Sequence, residues 1–237
     1  MSMTNAVLLL TAIIAVGGCQ QAETTEATPA AAQANTTAEP THPELRAALL
    51  DLRERDQAAR GAMVEVLQRS PQRQGGQFEI SDEDKPIMAA VGEIDAESTA
   101  YLQEMIAKHG WPTFDMVGED GASAAWILAQ HADMAPELQA HVLELMEPLV
   151  EQAQAHGREF AMLTDRVRNG RGEPQVFGTQ FTYDERGVQR PGPTIDWDTI
   201  DERRAKVGLP PIAEYAELIR TTYGGDVSPE PMPLPDE

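Results

Sequence analysis

Apolar residues recur every three or four positions through most of this 237-residue chain, and this helical spacing constrains its fold more than any other feature of the sequence. Prolines suited to a first helical turn, acids near helix starts and glycines at helix ends divide the pattern into segments. We predict seven helices, which begin near residues 43, 81, 118, 136, 159, 199 and 211. The predicted fold is therefore mainly α, a multi-helix bundle-like domain.

The periodicity changes near the C-terminal third of the chain. Residues 175–183 are rich in β-branched and aromatic side chains, and a turn sequence at 184–187 follows them. This pattern predicts a small β-hairpin over about residues 175–190, inserted into the helical body. Because a strand alternates its faces, we expect the side chains of Thr179 and Gln180 to point to opposite sides.

Polar residues interrupt the apolar sides of two predicted helices. In the first helix the leucine spacing places Asp56 on the buried side, with Arg60 one turn further on and Gln57 alongside. An unpaired buried carboxylate is costly, so we expect a partly buried Asp56 that pairs with Arg60. A slightly rotated helix would leave the two residues as a surface ion pair. In the third helix, His131 follows Ile127 by four residues and should face inward.

The segments on both sides of the helical region contain almost no large apolar residue. Residues 20–41 are rich in Ala, Thr, Glu and Gln, and residues 225–237 hold prolines and acids. Such compositions cannot bury enough surface to offset the entropy of ordering. We therefore expect a disordered stalk over 19–42, a single domain over 43–224, and a disordered acidic, proline-rich tail over 225–237.

The only cysteine of the chain, Cys19, follows a short apolar run and a Gly-Gly pair. This order is typical of a bacterial lipoprotein signal. We expect residues 1–18 to be removed as a signal peptide and Cys19 to carry a lipid that anchors the protein in the bacterial cell envelope. Gln20 resembles the residue found in lipoproteins sorted to the outer membrane, which implies its periplasmic face. A plain secretory signal or an N-terminal anchor helix remains the alternative, because no lysine or arginine precedes the run.

The chain is strongly acidic, with 39 acidic against 18 basic residues and a net charge of −21. Such a field repels nucleic acid, which we exclude as a partner. With a single cysteine, no disulfide can form within the chain, so the domain must depend on packing alone. The expected partners are the membrane, through the lipid on Cys19, and a small polar or anionic ligand or another envelope protein.

Several polar residues could form a site between the predicted elements. They are Asp56, Gln57, Arg60, Gln130, His131, Asp133, Asp165, Arg166, Gln175, Thr179, Gln180, Arg203 and Arg204. His131 is a candidate acid or base that Asp133 or Asp165 would orient, which makes these three the candidate catalytic residues. The others are candidate ligand-binding residues, and the arginines among them suit an anionic group.

Three roles for these residues remain open from the sequence. The first is a binding or interaction module that recognises a small polar or anionic ligand. The second is a hydrolase-like or lyase-like enzyme that uses His131 as acid or base, and the third is a purely structural polar network. No nucleotide, nucleophile-elbow or dinucleotide motif is present, and the spacing of His131 and Asp133 is poor for one metal ion, so we expect neither cofactor nor metal.

The order of several motifs resembles a bacterial family, domain-of-unknown-function family 6624. The motifs are Asp56-Gln57-x-x-Arg60, Gly110-Trp111-Pro112, Gln130-His131-Ala132-Asp133, Asp165-Arg166-Val167, Gln175-x-Phe177-Gly178-Thr179-Gln180 and Arg203-Arg204-x-x-Val207-Gly208-Leu209. The resemblance covers residues from about 45 to 220. It implies a shared domain and a shared set of polar residues, but no reaction, because the family has no established activity.

Overall fold

A computed structural model of the chain describes residues 39–70 and 78–234. These residues form seven α-helices and a two-stranded antiparallel sheet, which confirms the mainly α fold with a small hairpin. The helices are α1 (Pro43–Arg69), α2 (Lys85–His109), α3 (Phe114–His131), α4 (Pro136–Glu151), α5 (Gly157–Gly170), α6 (Ile200–Lys206) and α7 (Ile212–Tyr223). The predicted signal peptide, Cys19 and most of the predicted stalk lie outside the described residues.

The centre of the helical body is α3, which contacts α1, α2, α4 and α5. Alanines on several of its sides are almost completely buried, and they are Ala122, Ala124, Ala125 and Ala129. Small side chains let helix axes approach closely, which confirms the central position expected for this helix. Contacts of Arg46 with Asp120 and of Asp56 with His131 follow the same order along both helices, so α1 and α3 run in parallel.

The start of α3 differs from the sequence prediction. The helix begins at Phe114 rather than near residue 118, and the Thr113 hydroxyl caps it by accepting a hydrogen bond from the Met116 amide at 3.3 Å. Gly118 then interrupts the helical conformation with φ of 75°, which favours glycine. The acids after Gly118 therefore mark where the longer, regular part of α3 resumes.

The hairpin is shorter than predicted. Strand β1 (Phe181–Tyr183) pairs with β2 (Gln189–Pro191), and Thr182 lies opposite Arg190. Residues 175–180 form an irregular loop instead of a strand, because Gly178 adopts φ of 63° and breaks the extended conformation. Strict alternation of side chains therefore does not apply to this loop.

Residues 226–232 also differ from the expected loose tail. The Gln189 amide donates to the Asp226 carbonyl at 2.9 Å, the Ser228 amide to the Gln189 carbonyl at 2.9 Å, and the Met232 amide to the Pro191 carbonyl at 2.8 Å. The outer edge of β2 offers unpaired backbone groups, and the tail pairs with them. Val227 adds an apolar contact to the small core formed between α6 and α7.

One buried acid lies between α3 and α5. The Ser123 hydroxyl donates to Oε1 of Glu159 at 2.6 Å, and Glu159 is only 5% exposed. Burial raises the pKa of Glu159 to about 7, although the hydrogen bond from Ser123 and the charge of Arg158 oppose that rise. The sequence signal was the four-residue step from Glu159 to Leu163, which places Glu159 on the apolar side of α5.

We predict that Glu159→Gln stabilises the protein at high pH. Because the folded-state pKa of about 7 lies above the ordinary 4.5, wild-type stability falls as pH rises through this interval. At about pH 8 the variant should be more stable by about 2–3 kcal/mol, and at about pH 4 the two proteins should be nearly equal. Urea unfolding at both pH values measures the difference. The exposed Glu144→Gln should show no such change, and a Glu159→Gln effect independent of pH would contradict the prediction.

Candidate functional site

A group of polar side chains, which we call the histidine cluster, lies where α1, α2 and α3 meet. Its members are Asp56, Gln57 and Arg60 of α1, Asp95 of α2 and His131 at the end of α3. Asp56 is fully buried and His131 is 4% exposed. The inward orientation expected for both residues is therefore confirmed.

Asp56 is held by hydrogen bonds from three side chains. Nδ1 of His131 lies 2.9 Å from Oδ1 and 3.0 Å from Oδ2 of Asp56. Nε of Arg60 donates to Oδ1 at 2.8 Å, and Nε2 of Gln57 donates to Oδ2 at 2.8 Å. Nε of Arg60 also lies 2.9 Å from Nδ1 of His131, but the carboxylate is the stronger acceptor for its proton. The predicted pairing with Arg60 is confirmed, and it is a buried pair rather than the surface ion pair of the alternative.

These contacts decide the protonation of the cluster. Burial opposes ionisation of Asp56, but the hydrogen bonds from His131 and Gln57 and the charge of Arg60 hold its pKa below the usual range. Burial lowers the pKa of His131, the charges of Arg60 and Arg166 lower it further, and Asp56 opposes this shift. The result is an ionised Asp56 beside a neutral His131. The imidazole proton therefore lies on Nδ1, where it donates to Asp56, and Nε2 carries the lone pair.

Nε2 of His131 is buried and has no hydrogen-bond partner within residues 39–70 and 78–234. Three other buried polar atoms of α2 and α3 also have no hydrogen-bond partner among the described residues: Ser98 Oγ, Trp126 Nε1 and Gln130 Oε1. Ser98 follows Asp95 by three residues and so lies on the same side of α2. Buried polar atoms are almost always paired in folded proteins, so each of these atoms requires an explanation. Gln180 Oε1 and Arg204 Nη2 are also buried and unpaired among the described residues.

The outer part of the cluster is an ion pair. Nη2 of Arg60 donates to Oδ1 of Asp95, so Arg60 joins two acids on different helices. Burial raises the pKa of Asp95 to about 6; the charge of Arg60 opposes the rise, and the charge of Asp56 adds to it. Asp95 was not among the sequence candidates, although its position beside Ser98 on the apolar side of the second helix was a usable signal.

Asp133 does not orient the imidazole of His131, as the sequence had led us to expect. It forms a two-pronged ion pair with Arg166 of α5, with Nε to Oδ1 at 2.9 Å and Nη2 to Oδ2 at 2.6 Å. Gln139 of α4 donates to the carbonyl of Gln130 at 3.0 Å and to Asp133 at 3.3 Å. These residues tie α3, α4 and α5 together, and Asp56 takes the orienting role instead.

The remaining candidates form a second group, the loop cluster, which consists of Asp165, Gln175, Thr179, Gln180, Arg203 and Arg204. The buried carboxylate of Asp165 accepts hydrogen bonds from the amides of Val176 at 2.7 Å, Phe177 at 3.0 Å and Thr179 at 2.9 Å. The Thr179 hydroxyl adds a fourth at 2.9 Å. Burial raises the pKa of Asp165, and these hydrogen bonds oppose the rise. Asp165 therefore binds loop 175–180 and does not orient His131.

Gln175 acts as a substitute for a neighbouring strand. Its Oε1 accepts from the amide of Gln180 at 2.8 Å, and its Nε2 donates to the carbonyl of Gln180 at 2.8 Å. A side chain at Gly192 would have its Cβ 2.8 Å from Nε2 of Gln175, so glycine is needed there. Nε2 of Gln180 donates to the Thr179 hydroxyl at 3.2 Å, which corrects the expectation that these two side chains point apart.

The two adjacent arginines of α6 bind backbone carbonyls. Nε of Arg203 donates to Val176 at 3.0 Å, and Nη1 of Arg204 donates to Phe177 at 2.6 Å. The guanidinium of Arg204 is fully buried and lies 4.8 Å from the ring centre of Tyr215. The arginines that were expected to bind an anion therefore hold the loop in place.

The described residues offer neither a metal cluster nor a membrane-spanning helix. Within them, no three His, Cys, Asp or Glu side chains are grouped so that they could hold a metal ion. None of the helices described is long and apolar enough to cross a membrane.

The sequence model of a family described as "Family of unknown function (DUF6624)" matches residues 43–228. The chain therefore belongs to this family, as its ordered motifs had indicated. The match includes both polar clusters and the first residues that pair with β2. Comparison with curated proteins and with solved structures found no match. The family description assigns no activity, so the function has to be argued from the site.

We predict that Gln175→Glu destabilises the fold. The carboxylate would place an oxygen against the Gln180 carbonyl, where Nε2 now donates, and would bury a charge without a counter-ion. The expected loss is about 3 kcal/mol in the free energy of unfolding, measured by urea denaturation. Gln103→Glu, at an exposed position of α2, is the matched control and should cost little. A loss below about 1 kcal/mol would show that the loop does not need this pairing.

Proposed function

We propose that this domain is a binding module for a small polar ligand and that the histidine cluster is its site. The observation that supports the proposal is the buried Nε2 of His131, a lone pair without a partner in the described part of the chain. Leaving such an acceptor unpaired costs about 1–3 kcal/mol. A ligand that donates a hydrogen bond to Nε2 would recover this free energy on binding.

The contrast between the two clusters favours a site at His131. In the loop cluster, Asp165 accepts four hydrogen bonds and Gln175 uses both ends of its amide, and all of these contacts hold loop 175–180. These contacts have a structural role. Two other buried atoms of this cluster, Gln180 Oε1 and Arg204 Nη2, have no partner among the described residues. In the histidine cluster, Asp56 fixes one edge of the imidazole, while Nε2 on the other edge has no hydrogen-bond partner among the described residues.

The same geometry supports a second candidate, a hydrolase-like or lyase-like enzyme. A carboxylate bonded to Nδ1 orients the imidazole and leaves Nε2 as a general base, and Asp56 has this relation to His131. Asp95 of the same cluster, with a pKa of about 6, would serve as the second acid or base. A binding module and an enzyme share this site, and turnover of a bound ligand distinguishes them.

The location of the protein is a further part of the proposal. Cys19, after its short apolar run and Gly-Gly pair, would carry a lipid that tethers the domain to a membrane of the bacterial cell envelope, on the periplasmic face of the outer membrane. The expected partners are then that membrane, a small ligand and other envelope proteins. The net charge of −21 argues against nucleic acid as a partner.

We predict that small polar compounds perturb the ring of His131 in the full-length chain. In protein labelled with ¹⁵N-histidine, the free state should show a proton on Nδ1 and none on Nε2. Urea, acetamide, methylammonium, acetate and inorganic phosphate are the probes, and binding should shift the Nε2 resonance. His131→Asn should weaken binding, as measured by calorimetry, because asparagine can still donate to Asp56 but has no atom at the position of Nε2.

The exposed His141 provides the matched control, since His141→Asn should leave binding unchanged. Absence of any shift with all five probes would contradict the proposed site. A proton found on Nε2 would contradict the arrangement on which the proposal rests.

We also predict that Cys19→Ser releases the protein from membranes. In a Gram-negative host, the wild-type chain should sediment with the membrane fraction and incorporate labelled fatty acid, because acylation requires the thiol. The variant should do neither. Thr24→Ser, in the predicted stalk, is the matched control and should behave as the wild type. Membrane association that survives in Cys19→Ser would favour the alternative of an N-terminal anchor helix.

A further inference from the structure

The class of ligand follows from which polar groups near His131 are already paired, and this step rests on the proposed function. We propose that the histidine cluster takes a neutral or cationic hydrogen-bond donor, such as an amide, a hydroxyl or an ammonium group, and that it rejects anions. This narrows the expectation from the sequence, in which the arginines suggested an anionic ligand.

The positive charges around His131 are already paired with carboxylates. Nε of Arg60 donates to Asp56, and its Nη2 donates to Asp95. Nε and Nη2 of Arg166 both donate to the carboxylate of Asp133. Each guanidinium therefore already has a carboxylate counter-ion, and an anion that bound to either one would gain little in charge pairing.

The atoms that remain unpaired are mostly acceptors. His131 offers a lone pair at Nε2, and Gln130 offers the carbonyl Oε1. The Ser98 hydroxyl can act in either direction, and the Trp126 ring N–H is the one obligatory donor of the four. Trp126 precedes Gln130 by four residues and so lies on the same side of α3. Because Nδ1 of His131 is bonded to Asp56, Nε2 is the acceptor that the imidazole itself offers.

The charge around His131 also favours a cationic donor over an anion. Asp56, Asp95 and Asp133 outnumber the two arginines, and the whole chain carries a net charge of −21. The neutral imidazole adds no positive charge, because burial and the two arginines lower the pKa of His131. An anion would therefore be buried beside carboxylates, whereas a cationic donor would be attracted to them.

Exposure of the side chains increases outward from the buried ring. It rises from 3% at His131 to 13% at Arg60 and 25% at Asp95. The Arg60–Asp95 ion pair therefore lies closer to solvent than the imidazole does. A ligand that approaches on this side meets the Asp95 carboxylate, which again favours an ammonium or amide over an anion.

The test titrates the full-length chain, labelled with ¹⁵N-histidine, with methylammonium and acetamide and separately with acetate and inorganic phosphate at equal ionic strength. We expect the two donors to shift the Nε2 resonance of His131 at concentrations at least about tenfold lower than either anion. His131→Asn has no His131 resonance, so its donor binding is measured by calorimetry and should be weaker than that of the wild type by at least about tenfold. His141→Asn should leave it unchanged. The readout on wild-type protein does not depend on how well any variant folds.

The outcomes distinguish the ligand class from the site itself. If acetate or phosphate shifts His131 and the donors do not, the assignment of ligand class is wrong and the proposed site stands. If none of the four compounds shifts His131, both are wrong. Donor binding that is equally strong in His131→Asn would place the site elsewhere and would also overturn both.

Discussion

The buried carboxylate of Asp56 determines how the first three helices meet. An ionised group without solvent must keep its hydrogen-bond donors, and those donors come from α1 itself and from His131 of α3. Arg60 then extends the contact to Asp95 of α2. A change in the rotation or register of any of the three helices would leave a buried charge unpaired. The polar contact therefore adds a directional requirement to apolar packing, which alone has little direction.

The polar residues of this domain separate into two groups with different physical character. The loop cluster replaces a missing strand, since Asp165 and Gln175 bind backbone groups that an irregular loop cannot pair by itself. Most of its polar groups hold the loop, and Gln180 Oε1 and Arg204 Nη2 are its buried atoms without a partner among the described residues. The histidine cluster is incomplete in this sense, because the imidazole of His131 is fixed at Nδ1 and unpaired at Nε2 within the described residues. A buried unpaired atom lowers stability, and a function is a reason to retain it.

Much of the fold could be predicted because helices are encoded locally. The three- and four-residue spacing, together with prolines and glycines at helix ends, placed seven helices close to their observed bounds. The interruption of an apolar side also identified Asp56 and His131 as buried. The failures concern segments whose conformation depends on partners. The alternating pattern of residues 175–180 predicted a strand, but the positive φ of Gly178, which breaks the strand, cannot be read from that pattern. The tail was expected to be loose because the strand edge with which it pairs lies far away in sequence.

The sequence by itself determined the positions of the helices, the burial of Asp56 and His131 and the family to which the domain belongs. Only the tertiary structure decided which acidic side chain pairs with which basic one. Asp133 lies two residues from His131 yet pairs with Arg166, and Asp56, far away along the chain, holds the imidazole. The reason is that spacing fixes the side of a helix on which a residue lies, whereas hydrogen bonds between side chains depend on how the helices pack against one another.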